Sequence, residues 1–263
     1  MLNQPRSTQR YTPKQQNKDR ALAKRIYELS EQNPRYGYRR IAALLRREGW
    51  KVNSKRVYRI WRREGLQVPQ RQHKRRRRGS SDNACSRRKA ERPNQVWSYD
   101  FLFDSTESGH RLKMMPILDE YTRECLALRV DRSITSDDVI EELSRLMLKR
   151  TTPEFIRSDN GPEFVAKAVR RMLEFRGTEA AFIAPGAPWE NAYTESFNSI
   201  FRDELLNREL FVNLDEAQVL IERWRVEYNE QRPHGSLDYR TPQEYAAELE
   251  QRTANLESAE GLT

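Results

Sequence analysis

The feature that most constrains the fold is a pair of carboxylates that follow two different periodicities between residues 155 and 202. A short apolar run at 155–158 leads into Asp159-Asn160-Gly161, which predicts a strand whose terminal carboxylate lies where the backbone turns. Glu195 instead lies in a helical pattern, and helical spacing places it on a different side from the apolar residues. Those apolar residues predict the buried face of the helix: Phe197, Ile200, Phe201 and Leu205.

A third carboxylate, Asp100, lies upstream in an aromatic-rich strand pattern at 96–101. Between Asp159 and Glu195 lie 35 residues, which is enough for a helix, a strand and a loop. Three acidic residues from two strands and a helix can converge on a pair of divalent ions. Magnesium takes oxygen ligands, and paired ions clamp the attacking and leaving oxygens of a phosphodiester. The spacing therefore makes a metal site possible at these three residues.

Several further phrases accompany the three carboxylates: Arg-Pro-Asn-Gln-Val-Trp at 92–97, Ser-Asp-Asn-Gly-Pro-Glu-Phe at 158–164, Glu-Ser-Phe-Asn at 195–198 and Thr-Pro-Gln-Glu-Tyr at 241–245. Together with Asp100, Asp159 and Glu195, they resemble the DDE transposases of the OrfB type from the bacterial insertion-sequence-three family, which share their catalytic core with retroviral integrases. The resemblance runs from about Pro34 to about Tyr245, which is most of the chain.

The resemblance implies both a fold class and a reaction. The fold would be α/β, an RNase H-like mixed sheet flanked by helices, preceded by an all-α helix-turn-helix domain. The reaction would be metal-dependent DNA strand cleavage and strand transfer at the terminal inverted repeats of an insertion sequence. Asp100, Asp159 and Glu195 would be the catalytic residues and the ligands of two Mg²⁺ ions, for which Mn²⁺ can substitute.

Residues close to these ligands in the chain are candidates for supporting roles. Asn160 is also a common turn residue, and Glu190 falls at the start of the helix, where a carboxylate is favoured electrostatically in any protein. Asn198 lies one turn after Glu195. Arg202 lies two turns after Glu195 on the same face, where it would contact a phosphate or form a surface salt bridge.

The N-terminal third of the chain is strongly basic. Residues 1–92 carry 28 Lys and Arg against seven Asp and Glu, whereas residues 93–263 carry 20 against 32, which predicts a polyanion-binding module joined to an acidic one. Helical patterns up to Gly65 indicate a helix-turn-helix with 54–64 as the recognition helix; the alternative is a three-helix bundle with a solvated basic face. The residues predicted to contact DNA are Lys55, Arg56, Arg59, Arg62 and Arg63, together with the linker residues Lys74, Arg75, Arg76, Arg77 and Arg78, whose run is otherwise a solvated tether.

These patterns predict six segments: a flexible lead at 1–16, a helix-turn-helix domain at 17–66, a basic linker at 67–92, a catalytic core at 93–210, a C-terminal helical extension at 211–250 and a disordered tail at 251–263. Within the core, they predict strands at 96–103, 111–119, 124–131, 154–158 and 179–184, and helices at 136–150, at 163–175 and around Glu195.

Composition excludes several classes of protein. Two cysteines and three histidines provide neither a disulfide framework nor zinc-ligand spacing. No segment resembles a signal peptide or a membrane span, which predicts a cytoplasmic location. The resemblance implies a bacterial protein that is associated with the nucleoid when bound to DNA. The resemblance implies double-stranded DNA as partner, both element ends and target, with self-assembly on that DNA and a possible fusion or association with an upstream-frame product. Two other functions remain open: a catalytically silent DNA-binding repressor or domesticated remnant, and an RNase H-type nuclease.

Overall fold

The structure is a computed structural model that describes residues 16–69, 89–158, 166–182 and 192–260. The predicted lead before Gln16 and the basic run Lys74–Arg78 lie outside these residues. The chain divides into two compact units, Met1–Arg77 and Arg78–Thr263, and each is described by itself. Within the described ranges, no helix is both long enough and apolar enough to cross a membrane.

The first unit is a bundle of three helices in its described part: α1 (Gln16–Gln32), α2 (Tyr38–Arg47) and α3 (Ser54–Arg63). Their apolar stripes meet in one core, in which Ile26 and Val57 are fully buried. Asn53 begins α3, because its side-chain oxygen accepts a hydrogen bond of 2.9 Å from the Lys55 backbone N–H. Gly65 follows the end of α3 with a φ of 70°, a left-handed conformation that glycine adopts without steric cost.

The second unit is built on a mixed sheet with strands β1 (Val96–Tyr99), β2 (Leu102–Ser105), β3 (Arg111–Asp119), β4 (Cys125–Asp131), β5 (Phe155–Ser158) and β6 (Glu179–Phe182). β3 pairs antiparallel with β1 and β2 along one side and with β4. β5 pairs parallel with β1, and β6 pairs parallel with β5. The strands lie at the positions that the sequence predicted, with one difference beside Asp100.

The strand predicted at 96–103 is divided into β1 and β2, and Asp100 is the first residue after β1. The register with β3 is the same before and after the division, which places Asp100 opposite Pro116. Proline has no amide hydrogen to donate to a ladder. Pro116 therefore accounts for the end of β1. Asp100 is left as the first residue beyond the carboxyl end of the central strand.

The helices of the second unit are α4 (Ser136–Lys149), α5 (Lys167–Phe175), α6 (Ala192–Phe201), α7 (Leu214–Glu230) and α8 (Pro242–Glu260). They enclose two hydrophobic cores, one on each face of the sheet. Leu143 of α4 and Leu173 of α5 pack with Trp97 in one core. α6 and α7 pack on Met114 and its neighbours in the other. The fold is thus the mixed sheet flanked by helices that was predicted.

Aromatic rings join α6 to α7. The ring centroids of Phe201 and Trp224 lie 4.7 Å apart, and those of Phe197 and Tyr228 lie 5.0 Å apart. All four side chains are buried in the same core. The predicted buried face of α6 is confirmed, and α7 supplies half of the aromatic cluster against which that face packs.

Two elements differ from the prediction near the C-terminus. α6 ends at Phe201 and passes into a π-helical turn, Arg202–Leu206, where the sequence predicted one regular helix. Thr241 and Glu244 form a capping box at the start of α8, and α8 continues to Glu260, so 251–260 is helical rather than disordered. After its first turn, α8 contains neither Gly nor Pro. The helix is rich in Ala, Leu, Glu and Gln, all strong helix formers.

Candidate active site

Asp100 lies at the carboxyl end of β1 and is partly buried. Its Oδ1 accepts a hydrogen bond of 2.8 Å from the Phe101 backbone N–H. Its Oδ2 accepts one of 3.1 Å from the side-chain amide of Asn198 on α6. The carboxylate is therefore oriented by its own strand and by the helix that carries Glu195.

A second hydrogen bond fixes α6 on β1. The Thr194 hydroxyl donates to Ser98 Oγ at 3.0 Å, and both side chains are completely buried. Ser98 and Asp100 are two residues apart and share one face of the strand, while Thr194 and Asn198 are four apart and share one face of the helix. The two bonds together set the position of the helix along the strand.

Glu195 is exposed, as the helical pattern predicted, and it belongs to the first turn of α6, which begins at Ala192. It lies one turn before Asn198, whose amide reaches Asp100. Residues three apart on a helix are neighbours on its surface. The structure thus brings the helix face that presents Glu195 to the edge of the sheet where Asp100 lies.

The third predicted ligand, Asp159, follows the last residue of β5 in the chain. Ser158 ends β5, and since β5 is parallel to β1 its carboxyl end meets the same edge of the sheet as Asp100. Asp159 is the next residue in the chain and lies outside the described residues, as do Asn160 and Glu190. Within the described ranges, no group of three His, Cys, Asp or Glu side chains is arranged to hold a metal.

The donor chemistry of the described part suits a hard cation. Asp100 and Glu195 offer carboxylate oxygens, which are the ligands that magnesium takes. The Asn198 Oδ1 beside them is buried and has no hydrogen-bond partner among the described residues. A buried amide oxygen in that state costs free energy unless a donor or a cation reaches it. The residues present therefore fit an oxygen-liganded divalent ion.

Asp119 lies at the opposite end of the sheet. It pairs in register with Trp97, near the start of β1 rather than its end. Its carboxylate accepts hydrogen bonds from the backbone N–H groups of Asn94 and Tyr121 and from the Thr122 hydroxyl. Burial raises the pKa of Asp119, and these hydrogen bonds oppose the shift. Asp119 thus organises the turn after β3 and takes no part in the site at Asp100.

Arg202 forms no salt bridge with the described residues, and its contact with a phosphate stays a prediction. Its guanidinium donates to the Phe103 carbonyl oxygen of β2 at 3.4 Å. The side chain is exposed, and the described residues give it no ion pair. It therefore borders the site on the side of β2.

The basic side chains of α3 differ in whether they form ion pairs with the described residues. Arg56 is half-buried and forms an ion pair of 2.7 Å with Asp19 of α1, and Arg63 forms one of 2.9 Å with Glu64. The three basic residues of α3 that are exposed without an ion pair in the described part of the chain are Lys55, Arg59 and Arg62.

A buried ion pair that the sequence did not reveal lies below α6. Arg232, 2% exposed, donates two hydrogen bonds of 2.8 Å to the Glu204 carboxylate in the π-helical turn. The Arg232 guanidinium also lies 3.4 Å from His234 Nε2, whose ring packs edge-on against Tyr228. The available signal is the Arg-Pro-His-Gly phrase at 232–235, whose proline and glycine indicate only the end of a helix.

Three protein-family models match the chain. Two are described as integrase core domains and match residues 90–188 and 176–242. The third is described as an HTH-like domain and matches residues 16–75. The integrase-core matches together span all three predicted ligands, and the HTH-like match spans α1 to α3.

Curated relatives come from bacterial insertion elements. The uncharacterized 31.7 kDa protein of insertion element IS407 from Burkholderia multivorans is 40% identical over 92% of this chain and 86% of its own length. The uncharacterized 39.2 kDa protein of IS476 from Xanthomonas euvesicatoria is 38% identical over 89% of this chain and 67% of its own. Transposase InsD of insertion element IS2 from Escherichia coli is 31% identical over 88% of this chain and 79% of its own.

A likeness to a solved structure supports the fold. The simian T-cell lymphotropic virus intasome, in complex with PP2A regulatory subunit B56 gamma, has a TM-score of 0.53 at 14% identity, covering 84% of this chain and 74% of that chain. At this identity the likeness shows only the fold, an integrase core of the RNase H-like class. The family matches and the relatives above show that the chain belongs to the integrase-core transposases of bacterial insertion elements, in the insertion-sequence-three family that its motifs resemble.

Proposed function

We propose that this transposase catalyses metal-dependent DNA strand cleavage and strand transfer at the terminal inverted repeats of its insertion sequence. The observation that carries the proposal is the hydrogen bond from Asn198 to Asp100, because it joins the strand carboxylate to the helix that presents Glu195. The integrase-core matches, which span Asp100, Asp159 and Glu195, support the same set of residues.

Asp100, Asp159 and Glu195 would hold two Mg²⁺ ions, or Mn²⁺ in their place. When bound, the ions supply a clamp for the attacking and leaving oxygens of a phosphodiester. The chain's own contribution is to orient Asp100 and to hold the helix of Glu195 against β1 before DNA arrives. Asn198 orients Asp100 by donating to Oδ2, and the buried bond between Thr194 and Ser98 holds the helix in register. Asn160 and Glu190, the chain neighbours of the ligands, would support them.

The helix-turn-helix domain would hold the DNA. Lys55, Arg59 and Arg62 of α3 would carry most of the phosphate contact, because they are exposed and make no ion pair in the described part of the chain. Arg56 and Arg63 would contribute less, since each is held by a carboxylate. The linker run Lys74–Arg78 would add phosphate contacts. Arg202 would contact a phosphate of the DNA strand beside the candidate active site.

The partners would be the double-stranded DNA of element ends and target. The chain would assemble with further copies on that DNA in the bacterial cytoplasm, at the nucleoid, and an upstream-frame product would join it by fusion or association. We assign DNA binding to 17–66, the basic linker to 67–92, catalysis to 93–210 and helical support to 211–250.

A comparison of Glu195→Gln with Glu190→Gln tests the catalytic assignment. Glutamine keeps the shape and hydrogen bonding of glutamate and removes the charge that holds a divalent ion. With Mg²⁺ and a duplex that carries an element end, Glu195→Gln should abolish cleavage and joining while DNA binding persists, as should Asp100→Asn and Asp159→Asn. Glu190→Gln should retain measurable catalysis, because its favourable helix-dipole interaction amounts to only about 0.3–1 kcal/mol. Active Glu195→Gln with inactive Glu190→Gln would show that the third ligand is wrong.

The same assay separates the two functions that the sequence left open. A silent repressor would bind the duplex and cut nothing with Mg²⁺ or Mn²⁺. An RNase H-type nuclease would cleave the RNA strand of a hybrid faster than duplex DNA. Cleavage by the wild-type chain in excess chelator would contradict the metal-dependent mechanism.

DNA binding is tested separately in excess chelator, where metal-dependent strand cleavage and joining do not occur. Because binding releases counterions from phosphates, the affinity for a duplex should fall steeply with salt, with a slope of about −0.9 per phosphate contacted. Arg59→Glu and Arg62→Glu should weaken binding more than the same change at Arg63, whose charge is partly compensated by Glu64. Affinity that is independent of salt would contradict the role of α3.

A further inference from the structure

We propose that a cationic cavity near the carboxyl end of β1, where Asp100 lies, binds a backbone phosphate of the DNA substrate. The cavity has a volume of about 520 Å³ and lies in the second unit, between the start of β3, the segment that leads into α4, and Ala166. The proposal rests on the proposed function for the identity of the ligand, and on the cavity itself for the chemistry that the ligand must have.

The wall of the cavity has three cations and no carboxylate. Arg111, Lys113 and Arg132 line it, and its other lining residues are Ser133, Ile134, Thr135, Ser136 and Ala166. The described residues provide no ion pair to Arg111 or Arg132, and both side chains are exposed. A concentration of like charge with no counter-charge raises the local potential and attracts anions. The cavity is therefore built for a group of negative charge.

Carboxylates are present nearby. Asp131 lies opposite Lys113 in the register of β3 and β4, and its Oδ1 accepts a hydrogen bond of 2.7 Å from the Arg132 backbone N–H. The acids of α4 are held by a different arginine. Arg129 forms ion pairs of 2.6 Å with Asp138 and of 2.7 Å with Glu141 of α4. Asp138 also closes the capping box of α4 with Thr135. Since these acids are engaged on the far side of the segment, the Arg132 guanidinium has no carboxylate partner in the described part of the chain, although it lies only three residues from Arg129.

Lys113 fixes one positive charge in the wall. It is only 6% exposed, and its ammonium donates a hydrogen bond of 2.9 Å to the Ile134 carbonyl oxygen. The ammonium also lies 3.7 Å from the centroid of the Phe101 ring. Burying an ammonium costs free energy unless other groups stabilise it. The contacts with Ile134 and Phe101 stabilise this charge in place before any ligand binds.

Phe101 connects the cavity to the candidate active site. Its ring contacts Lys113, and its backbone N–H donates to the Asp100 carboxylate. Ala166 of the wall follows the segment that begins at Asp159 in the chain. Phosphates on one DNA strand are spaced by about 3.4 Å along the helix axis, so a strand that reaches Asp100 brings further phosphates within reach of the cavity.

Guanidinium groups suit this ligand because their donors form a planar fork that matches phosphate oxygens. The Arg111 guanidinium lies over the Phe103 ring, 4.2 Å from its centroid, which restrains the side chain. Arg132 also lines the cavity and is exposed. The two arginines would hold the phosphate between them, while Lys113 supplies a fixed charge behind it.

The test measures DNA affinity in chelator as a function of salt, with the full chain and a short fluorescent duplex. The Arg111→Gln/Arg132→Gln variant should reduce the slope of log affinity against log salt by about 0.9 for each phosphate that it no longer binds. The Arg223→Gln/Arg252→Gln variant is the matched control, because it removes the same charge from exposed positions on α7 and α8. An unchanged slope in the first variant, or an equal change in both, would overturn the proposal.

Two DNA substrates in the binding assay show whether the cavity holds donor or target DNA. The assay also separates this proposal from the proposed function. If the slope changes on a linear duplex with an element end, the cavity holds donor DNA; if it changes on a closed circle without one, the cavity holds target DNA. Binding in chelator needs no catalysis, so a wild-type chain that fails to cleave refutes the function and leaves this result intact. Arg111→Lys/Arg132→Lys should restore most of the slope, and a slope in that variant as low as in the glutamine variant would contradict a charge-based contact.

Discussion

The Thr194 hydroxyl donates a hydrogen bond of 3.0 Å to the Ser98 hydroxyl, and neither side chain is accessible to solvent. This contact joins the central strand of the sheet to α6, two residues before Asp100 and one residue before Glu195. The position of one carboxylate relative to the other therefore depends on a small polar contact inside an apolar core.

Replacing Thr194 by valine should destabilise the fold and impair cleavage. Valine keeps the shape but removes the donor, so the buried Ser98 hydroxyl loses its partner at a cost of about 1–3 kcal/mol. Urea unfolding followed by circular dichroism measures this destabilisation, and the end-cleavage assay measures activity below the unfolding transition. Thr194→Ser keeps the hydroxyl and is the control. Valine and serine variants with equal stability and activity would remove Thr194 from the positioning role.

Replacing Asn198 by leucine should reduce cleavage with little effect on folding. Leucine has a similar size but cannot donate to Asp100 Oδ2, and a hydrogen bond to a charged group contributes about 1.5–3 kcal/mol. If that energy serves to orient the carboxylate, the single-turnover cleavage rate should fall roughly 10- to 100-fold. Asn255→Leu, at an exposed position of α8, is the matched control. A wild-type cleavage rate in Asn198→Leu would contradict the orienting role.

Replacing Arg232 by methionine should destabilise the second unit strongly. The change leaves the Glu204 carboxylate, whose side chain is 9% exposed, without its bidentate partner, and breaking a buried pair in this way costs about 3–5 kcal/mol. Adding Glu204→Gln should recover part of this stability, because it removes the uncompensated charge. The control is Arg223→Met, which breaks an exposed pair with Glu227 and should cost less than about 1 kcal/mol. Equal unfolding free energies for the two single variants would contradict the argument.

Stability should depend on pH through Asp119. Burial raises the pKa of this carboxyl above its usual value of 3.8, so the folded state binds its proton more tightly than the unfolded state. Asp119 therefore contributes stability that is fully present below pH 3.8 and is lost as the pH rises through the raised pKa. Asp119→Asn should lack this decrease, and the difference between the two unfolding curves against pH measures it. Parallel curves for wild type and variant would exclude Asp119 as the titrating group.

The periodicity of the sequence was sufficient to predict much of the candidate active site. The helical pattern placed Phe197 and Phe201 in the core and Glu195 on the exposed side, and the structure confirms each. The cap at Asn53 likewise reflects a local preference, since asparagine is among the residues favoured at helix N-termini. These features depend on residues within one or two turns of each other, so a single sequence contains the information.

Contacts between distant elements could not be obtained from periodicity. The end of β1 at Asp100 depends on Pro116 in the neighbouring strand, and nothing within 96–103 indicates it. Arg56 lies on the polar side of α3, as the pattern predicted, but its ion pair with Asp19 depends on how α1 packs. The geometry around Asp159 lies outside the described residues, and its role stays a prediction.

The packing of α7 against α6 has a consequence for damaged copies of the gene. Trp224 and Tyr228 complete the aromatic cluster around Phe197 and Phe201, so the segment after residue 210 belongs to the interior of the catalytic unit. A copy that stopped near residue 210 would still encode all three carboxylates, yet the helix of Glu195 would lose the aromatic side chains of α7 that cover it. Such a copy would be inert through failure to fold, and an intact triad in a truncated gene is therefore no sign of a working element.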